Sequence, residues 1–321
     1  MSRQWRLWLV TIALVILPVC SFAQSDYPNR PITIIVPTPP GGTLDLITRL
    51  ASEKLRDLLG QPIVLEYKPG AGLNIGAAYV ARATPDGYTL LSAPQLTYNA
   101  DLLSAKLSYD PRTLEPVTVM VGYPNVVVAR PNLPANSFAE LLAYARQHPD
   151  ELTYASQGTG QISHLTFEML KLMANIKLRH VPYRGSAPAI TDILGNQVDL
   201  LADNQLSTSS YIAAGKMKLL AVTGKERLPA YPNVPTVAEF VPSFVSDTWL
   251  AIGTPRGTPQ EIRSKLATAI AEALRMPDVR AKLMEAHAGI VASTPERMAE
   301  IVRESRERWA PVVSAAGIRL E

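Results

Sequence analysis

The feature that most narrows the folds open to this chain is an order of elements that occurs twice. Ile32 to Val36 is a β-branched run suited to a strand buried on both faces. It ends in Pro37-Thr38-Pro39-Pro40-Gly41-Gly42, which cannot continue as sheet. Leu44, Ile47, Leu50, Ala51, Leu55, Leu58 and Leu59 then recur at helical spacing, with Thr43 placed to cap the helix and Gly60 to end it. Further along, Leu152 to Ser156 reads as a strand and Gln157-Gly158-Thr159-Gly160 as a second glycine-rich loop. Leu165, Met169, Leu170 and Met173 follow as the buried stripe of another helix. Strands joined by helices of this length form βαβ units, so the fold expected is α/β with mainly parallel sheet.

The remaining segments continue the alternation. Strands are expected at 63–67, 88–92, 126–129, 179–181, 198–202, 219–223 and 249–252, and helices at 74–82, 137–147, 187–194, 259–275, 278–287 and 295–315. Pro229, Pro232, Pro235 and Pro242 mark a stiff, extended connection. No stretch of sequence repeats; only the order of strand, glycine-rich loop and helix does.

With 321 residues, 47% of them hydrophobic and 18% charged, the chain can bury two ordinary cores, and disorder is excluded as a description of the whole. The formal charge of +3 includes Arg3 and Arg6 at the very start, so no basic footprint for nucleic acid remains. Those two arginines, the apolar run Leu7 to Val19 and the small residues of Ser21-Phe22-Ala23 make residues 1–23 an export signal, with the mature protein beginning near Gln24. The run falls short of the ~20 residues that a membrane span needs. Cys20 raises the alternative of a lipid anchor, but Val19 is bulky where such a site wants a small residue. Removing the signal removes the single cysteine, and with it disulfides, thiolate catalysis and cysteine metal sites.

In open α/β sheets, ligands sit outside the carboxyl ends of the strands, and both glycine-rich loops occupy that position ahead of a helix. A helix N-terminus offers unpaired N–H groups and roughly half a positive charge. Two such ends facing across a cleft would hold a carboxylate without an arginine. Gly41, Gly42, Gly158 and Gly160 let the backbone approach an anion closely. Either loop alone is explained by a tight turn; the pair, in an exported chain, points to binding.

The residues also resemble a known family. The resemblance runs through Tyr27-Pro28-Asn29-Arg30-Pro31-Ile32, Val36 to Asp45, Lys68-Pro69-Gly70-Ala71-Gly72-Leu73-Asn74-Ile75-Gly76 and Pro85-Asp86-Gly87-Tyr88. It continues through Ser163-His164-Leu165, His180-Val181-Pro182-Tyr183-Arg184-Gly185-Ser186, Gly195-Asn196-Gln197-Val198-Asp199 and Val234-Pro235-Thr236. The chain is similar throughout its mature length to the solute receptors of the tripartite tricarboxylate transporter family, the Bug-type receptors.

That resemblance implies a two-lobed periplasmic binding protein of type II-like architecture, each lobe a sheet flanked by helices, with the ligand cleft between lobes. The domains implied are 24–123 plus 247–321 and 124–246. The ligand class is a small carboxylate: a di- or tricarboxylate, an aromatic acid or an acidic amino acid. The partners implied are the membrane subunits of a tripartite transporter, and a monomer is expected. The resemblance assigns ligand contact to Thr38, Pro39, Gly41, Gly42, Thr43 and Asp45 in the first lobe and to Ser156, Gly158, Thr159, Gly160, Ser163 and His164 in the second. Asp203, at the end of a strand, is a further candidate. Thr38 stands where the family often has an aromatic residue, and Arg184 where lysine is common. No cofactor, metal or catalytic residue is implied.

Several of these residues are open to a second reading. Asp45 either touches the ligand or ties down its loop against the helix dipole; His164 either binds or buttresses its helix. Asp203 would repel an anion unless it accepts from a hydroxyl, amine or water. Tyr183 and Trp249 read as packing residues. An exported hydrolase is the competing class, but adjacent Ser163 and His164 project about 100° apart on a helix and cannot form a nucleophile–base pair. No Gly-x-Ser-x-Gly elbow is present, and the histidines at 148, 164, 180 and 287 lack metal-ligand spacing. A ligand sensor for a signalling partner would share the receptor fold.

Overall fold

The computed structural model describes residues 27–104 and 106–320; the expected signal, residues 1–23 with Cys20, lies outside them. The chain runs β1 (Ile32–Val36), α1 (Thr43–Leu59), β2 (Ile63–Tyr67), α2 (Asn74–Ala81), β3 (Thr89–Pro94), α3 (Gln95–Tyr98), α4 (Ala100–Leu103) and β4 (Leu114–Ala129). It continues with α5 (Phe138–Gln147), β5 (Thr153–Ser156), α6 (Ile162–Ala174), β6 (Arg179–Pro182), α7 (Ser186–Leu194), β7 (Leu200–Asn204), α8 (Gln205–Ala213) and β8 (Lys218–Val222). The end is β9 (Asp247–Pro255), α9 (Gln260–Arg275), α10 (Pro277–Glu285), β10 (Gly289–Ile290) and α11 (Pro295–Ala316).

The strands follow the order β2-β1-β3-β9-β4-β7-β5-β6, with β8 and β10 also pairing β4. β1 is parallel to β2 and β3, and β5 to β6 and β7, as crossover helices require. The returning strand β9 and the long strand β4 run antiparallel to their neighbours, so the α/β sheet is mixed. β4 is the unexpected element, since only 126–129 read as strand. Its 16 residues carry both lobes: Leu114 to Pro124 pair with β9, and Asn125 to Ala129 with β7. Pro116 and Pro124 disguise it, because proline cannot donate to a ladder. The register shifts after Pro116 and Val119 absorb the irregularity.

Alternation along each strand sorts side chains to two faces. Ile34 packs with Ile47 and Leu50 of α1, whereas Ile35 packs with Ala77 and Val80 of α2. In the second lobe Tyr154 and Leu200 join Phe138 and Phe167 on one face, while Ala155 and Leu201 join Ile190 and Ile193 on the other. α11 is shared. Met298 belongs to a first-lobe cluster, but Trp309, Val312 and Val313 are buried in the second-lobe core with Leu103 of α4. Residues 247–320 therefore do not pack with one lobe alone.

The topology decides where a ligand can sit. Pro94 at the carboxyl end of β3 pairs with Leu250, which lies opposite Val121 of β4. Asn204 at the carboxyl end of β7 pairs with Asn125 of the same strand. The carboxyl edges of the two parallel sets thus converge, from opposite directions, on one short stretch of β4.

Candidate ligand-binding site

Both glycine-rich loops lie on these converging edges. α1 begins behind Gly42 and α6 behind Gln161, and neither N-terminus has a side-chain cap. Their leading N–H groups are unclaimed by side chains, as an anion site requires. Thr43 begins α1 without capping it, because Gly42 is the cap residue.

Side chains from the first turn of each helix instead brace the loops. Gly41 N–H donates to Asp45 Oδ2 at 2.8 Å, and Gly160 N–H donates to His164 Nδ1 at 3.0 Å. Asp45 is buried and also accepts from Tyr67 Oη at 2.6 Å and Arg49 at 3.0 Å. Burial pushes its carboxyl up, but the bonds from Tyr67, Gly41 and Arg49 outweigh that and hold it below the usual carboxylate range. His164 is buried and stacked on His180 at 3.8 Å, and burial beside that second ring lowers it to about 4. Ser163 Oγ accepts from Gln157 N–H and donates to its side-chain oxygen. Ser156 Oγ accepts from Gly158 N–H and lies 2.6 Å from His180 Nε2. Ser163 and His164 thus brace different parts of one loop and make no pair. Pro39, Gly41, Gly42 and Thr159 are exposed, with Thr43 and Gly158 partly so.

Asp203 is buried with Oδ1 accepting from Gln157 Nε2 at 2.7 Å and from Asn204 N–H at 2.8 Å. Its Oδ2 is buried without a hydrogen-bond partner, and burial pushes the carboxyl up to about 6. Thr38 Oγ1, Gln95 Nε2 and Gln205 Nε2 are likewise buried and unpaired. These four atoms lie at the carboxyl ends of β1, β3 and β7 or directly beyond them. Buried polar groups without partners are rare in folded proteins, and their concentration along the converging edges marks a polar site. Gln95 and Gln205 escaped the sequence reading. Each opens the short helix after its strand, and the signal was the echo between Gln95-Leu96-Thr97 and Gln205-Leu206-Ser207. Tyr183 bonds Asp192 and Trp249 packs on Tyr98, so both act within the structure.

The segment after β2 links the two loops. A β-carbon on Gly76 would lie 2.8 Å from Pro37 Cβ, so α2 packs directly on the first loop. Ala71 to Asn74, which lead into it, line a cavity of about 410 Å³ together with Gly160 and Gln161. Among the expected contact residues, Gly160 alone lines that cavity.

A family described as the tripartite tricarboxylate transporter family receptor matches residues 47–318. The chain belongs to this family. Among solved receptors similar to it, the periplasmic binding protein BugD is 34% identical, with 92% of this chain and all of that one aligned at a TM-score of 0.76. An R. palustris protein solved with adipate is 37% identical over 92% of this chain and 100% of its own, at a TM-score of 0.79. MatC from Rhodopseudomonas palustris, with bound malate, is 33% identical over 89% of this chain and 100% of its own, at 0.76. The receptor is accordingly a periplasmic solute-binding protein with a two-lobed α/β fold, the architecture in which a cleft between lobes closes on its guest.

Proposed function

We propose that this receptor binds a small carboxylate between the loops at 37–43 and 157–162 and delivers it to the membrane subunits of a tripartite transporter. The observation that carries the reading is the pair of uncapped helix N-termini on converging sheet edges. Each loop is braced by a side chain four residues on, leaving the helix amides for the anion. The exposed residues Pro39, Gly41, Gly42 and Thr159, with the partly exposed Thr43 and Gly158, are the contact surface. Asp45, Ser156, Ser163 and His164 act through the loops they hold. Asp203, with Thr38, Gln95 and Gln205, lines the floor. The adipate and malate complexes of related receptors support a carboxylate guest. Closure occurs about a hinge at 123–124 and 247, where β4 and β9 pass between domains 24–123 plus 247–321 and 124–246.

Thermal unfolding of the mature protein with a panel of mono-, di- and tricarboxylates tests this. The melting temperature rises with ligand concentration for at least one acid, as binding to the folded state requires. Stabilisation by neutral or cationic solutes alone overturns it.

A further inference from the structure

Asp203 differs from other carboxylates set into this fold. Asp45, Glu168 and Asp199 each keep a cation, from Arg49 at 3.0 Å, Lys171 at 2.7 Å and Arg130 at 2.7 Å. Asp203 is 1% exposed, and no basic side chain among the described residues pairs with it. Its Oδ1 accepts from Gln157 Nε2 and the Asn204 N–H, but its Oδ2 is buried with no hydrogen-bond partner. A buried carboxylate short of both a countercharge and a hydrogen bond is costly. Burial raises the group, and Ser186, the Asn204 amide and Gln157 offset only part of that rise.

Its neighbours place this carboxyl on the ligand side. Gln157, which opens the second loop, reaches both Asp203 Oδ1 and Ser163 Oγ in the first turn of α6. Ser186 opens α7 beside it, and its hydroxyl accepts from Gln157 Nε2 at 3.3 Å. Tyr123 comes from the stretch of β4 that joins the lobes; burial, and then the charge of Asp203, raise its phenol. Asp203 therefore lies between the second loop and the hinge, at the carboxyl end of β7.

We infer that Asp203 is the specificity residue of this receptor and takes an ammonium group, so that the guest is an amino acid whose nitrogen donates to Asp203 Oδ2. The inference rests on the carboxylate reading and narrows it to one class. A plain dicarboxylate would bring a second negative charge towards a buried one. A hydroxyl would complete the hydrogen bonding of Oδ2 and leave the charge uncompensated. An ammonium does both, and the hydroxyl oxygens of Ser186 and Tyr123 offer acceptors for its other N–H groups.

The test is calorimetric titration of the mature chain above pH 7, where Asp203, pushed up to about 6, is ionised. Three carbon skeletons are compared, each as the 2-amino, 2-hydroxy and unsubstituted acid. They are aspartate, malate and succinate; glutamate, 2-hydroxyglutarate and glutarate; and phenylalanine, 3-phenyllactate and 3-phenylpropanoate. In the skeleton that fits, the amino acid binds roughly tenfold or more tightly than the unsubstituted acid, with the hydroxy acid between them. Asp203→Asn keeps an oxygen for Gln157 and Asn204 and puts an amide nitrogen in place of Oδ2. It cuts the preference to about threefold or less without lowering the melting temperature of the ligand-free protein. A carboxylate with a purely structural role gives the reverse, a lower melting temperature and an unchanged preference, and that result overturns the inference. Should the variant not fold, the unaltered protein decides alone. An unsubstituted acid binding as tightly as its amino counterpart means that water completes Asp203, and overturns the inference while leaving a carboxylate receptor. Failure of every acid to bind overturns the carboxylate reading together with it.

Discussion

The main-chain N–H of Gly160 donates to Nδ1 of His164 at 3.0 Å. A ring nitrogen that accepts carries no proton, so His164 is neutral with its hydrogen on Nε2, the atom 3.9 Å from Glu168. The same side chain stacks on His180, whose Nε2 lies 2.6 Å from Ser156 Oγ, and Tyr154 closes the stack while bonding Glu168. The second loop therefore rests on two stacked imidazoles, with Lys171 beyond Glu168 at 2.7 Å.

Acid should undo this support. Burial and the neighbouring His180 lower His164 from its ordinary value near 6.5 to about 4, so the unfolded chain binds a proton that the folded chain refuses. Stability from this group is complete above pH 6.5 and falls as pH drops from 6.5 towards 4, with a slope of up to ~1.4 kcal/mol per pH unit. Urea unfolding across that range measures it. His164→Asn, which keeps an acceptor for Gly160 and removes the titration, should flatten the curve. His180, also lowered by burial, leaves a residual slope of the same sign, and Asp203, pushed up to about 6, leaves one of the opposite sign. Equal slopes in the two proteins would rule the mechanism out.

Asp45 should matter far more than the arginine paired with it. Its carboxylate is buried and takes the Gly41 amide and the Tyr67 hydroxyl, whereas the Arg49 side chain is half exposed. Asp45→Ala leaves a loop amide without its partner and costs about 2–3 kcal/mol. Arg49→Ala removes only the half-exposed partner of that carboxylate and costs much less. Denaturant midpoints separate the two, and equal losses would show that the ion pair, not the loop brace, holds the structure.

How much of this was legible beforehand depended on period. β1, whose side chains alternate between two helical layers, and α1, with its stripe and Gly60 cap, are written in the sequence as regular spacing. The duplicated loop is legible for the same reason. β4 was not, because Pro116 and Pro124 break the donor ladder that its apolar residues announce. The sharing of α11 between lobes was hidden, since Met298 and Trp309 lie on one continuous helix and only tertiary packing assigns them to different cores. At the site, glycine positions were readable, but the partner of each glycine amide was not. Asp45 and His164 become braces through rotamers that no spacing rule specifies. The left-handed backbone at Ala71 and Leu73 runs against residue preference, so no spacing rule announces that turn.

Contact between α2 and the first loop predicts a coupled defect. An alanine at Gly76 would bring Cβ to 2.8 Å from Pro37 Cβ and 3.1 Å from the Lys68 carbonyl, neither of which is the tip of a flexible side chain. Gly76→Ala should cost about 1–3 kcal/mol and weaken ligand binding by displacing the loop. Gly60→Ala, at the left-handed end of α1 with open space around it, should cost about 1 kcal/mol and leave binding unchanged. Parallel titrations of both variants check the distinction, and a Gly76→Ala protein with native affinity would detach α2 from the site.

Gly160 gives the sharpest separation of binding from folding. It has φ +77, and a β-carbon there would lie 3.1 Å from Leu320 Cδ1, the movable end of a side chain near the chain terminus. Gly160→Val therefore strains the loop by about 1–2 kcal/mol for the left-handed backbone, plus the cost of displacing Leu320 at the edge of the second-lobe core. The ligand-free melting temperature should fall by several degrees, at roughly 2–4 °C per kcal/mol for a protein of this size class. Carboxylate-dependent stabilisation should disappear, because the valine both tilts the amides at the start of α6 and fills the approach to them. Gly60→Ala serves as the control: its φ is +67, nothing lies within 4 Å, and it sits at the far end of α1 from the first loop. That variant should lose comparable stability and keep its ligand response. If Gly160→Val answers to carboxylates as the unaltered protein does, the anion is not held at this helix start.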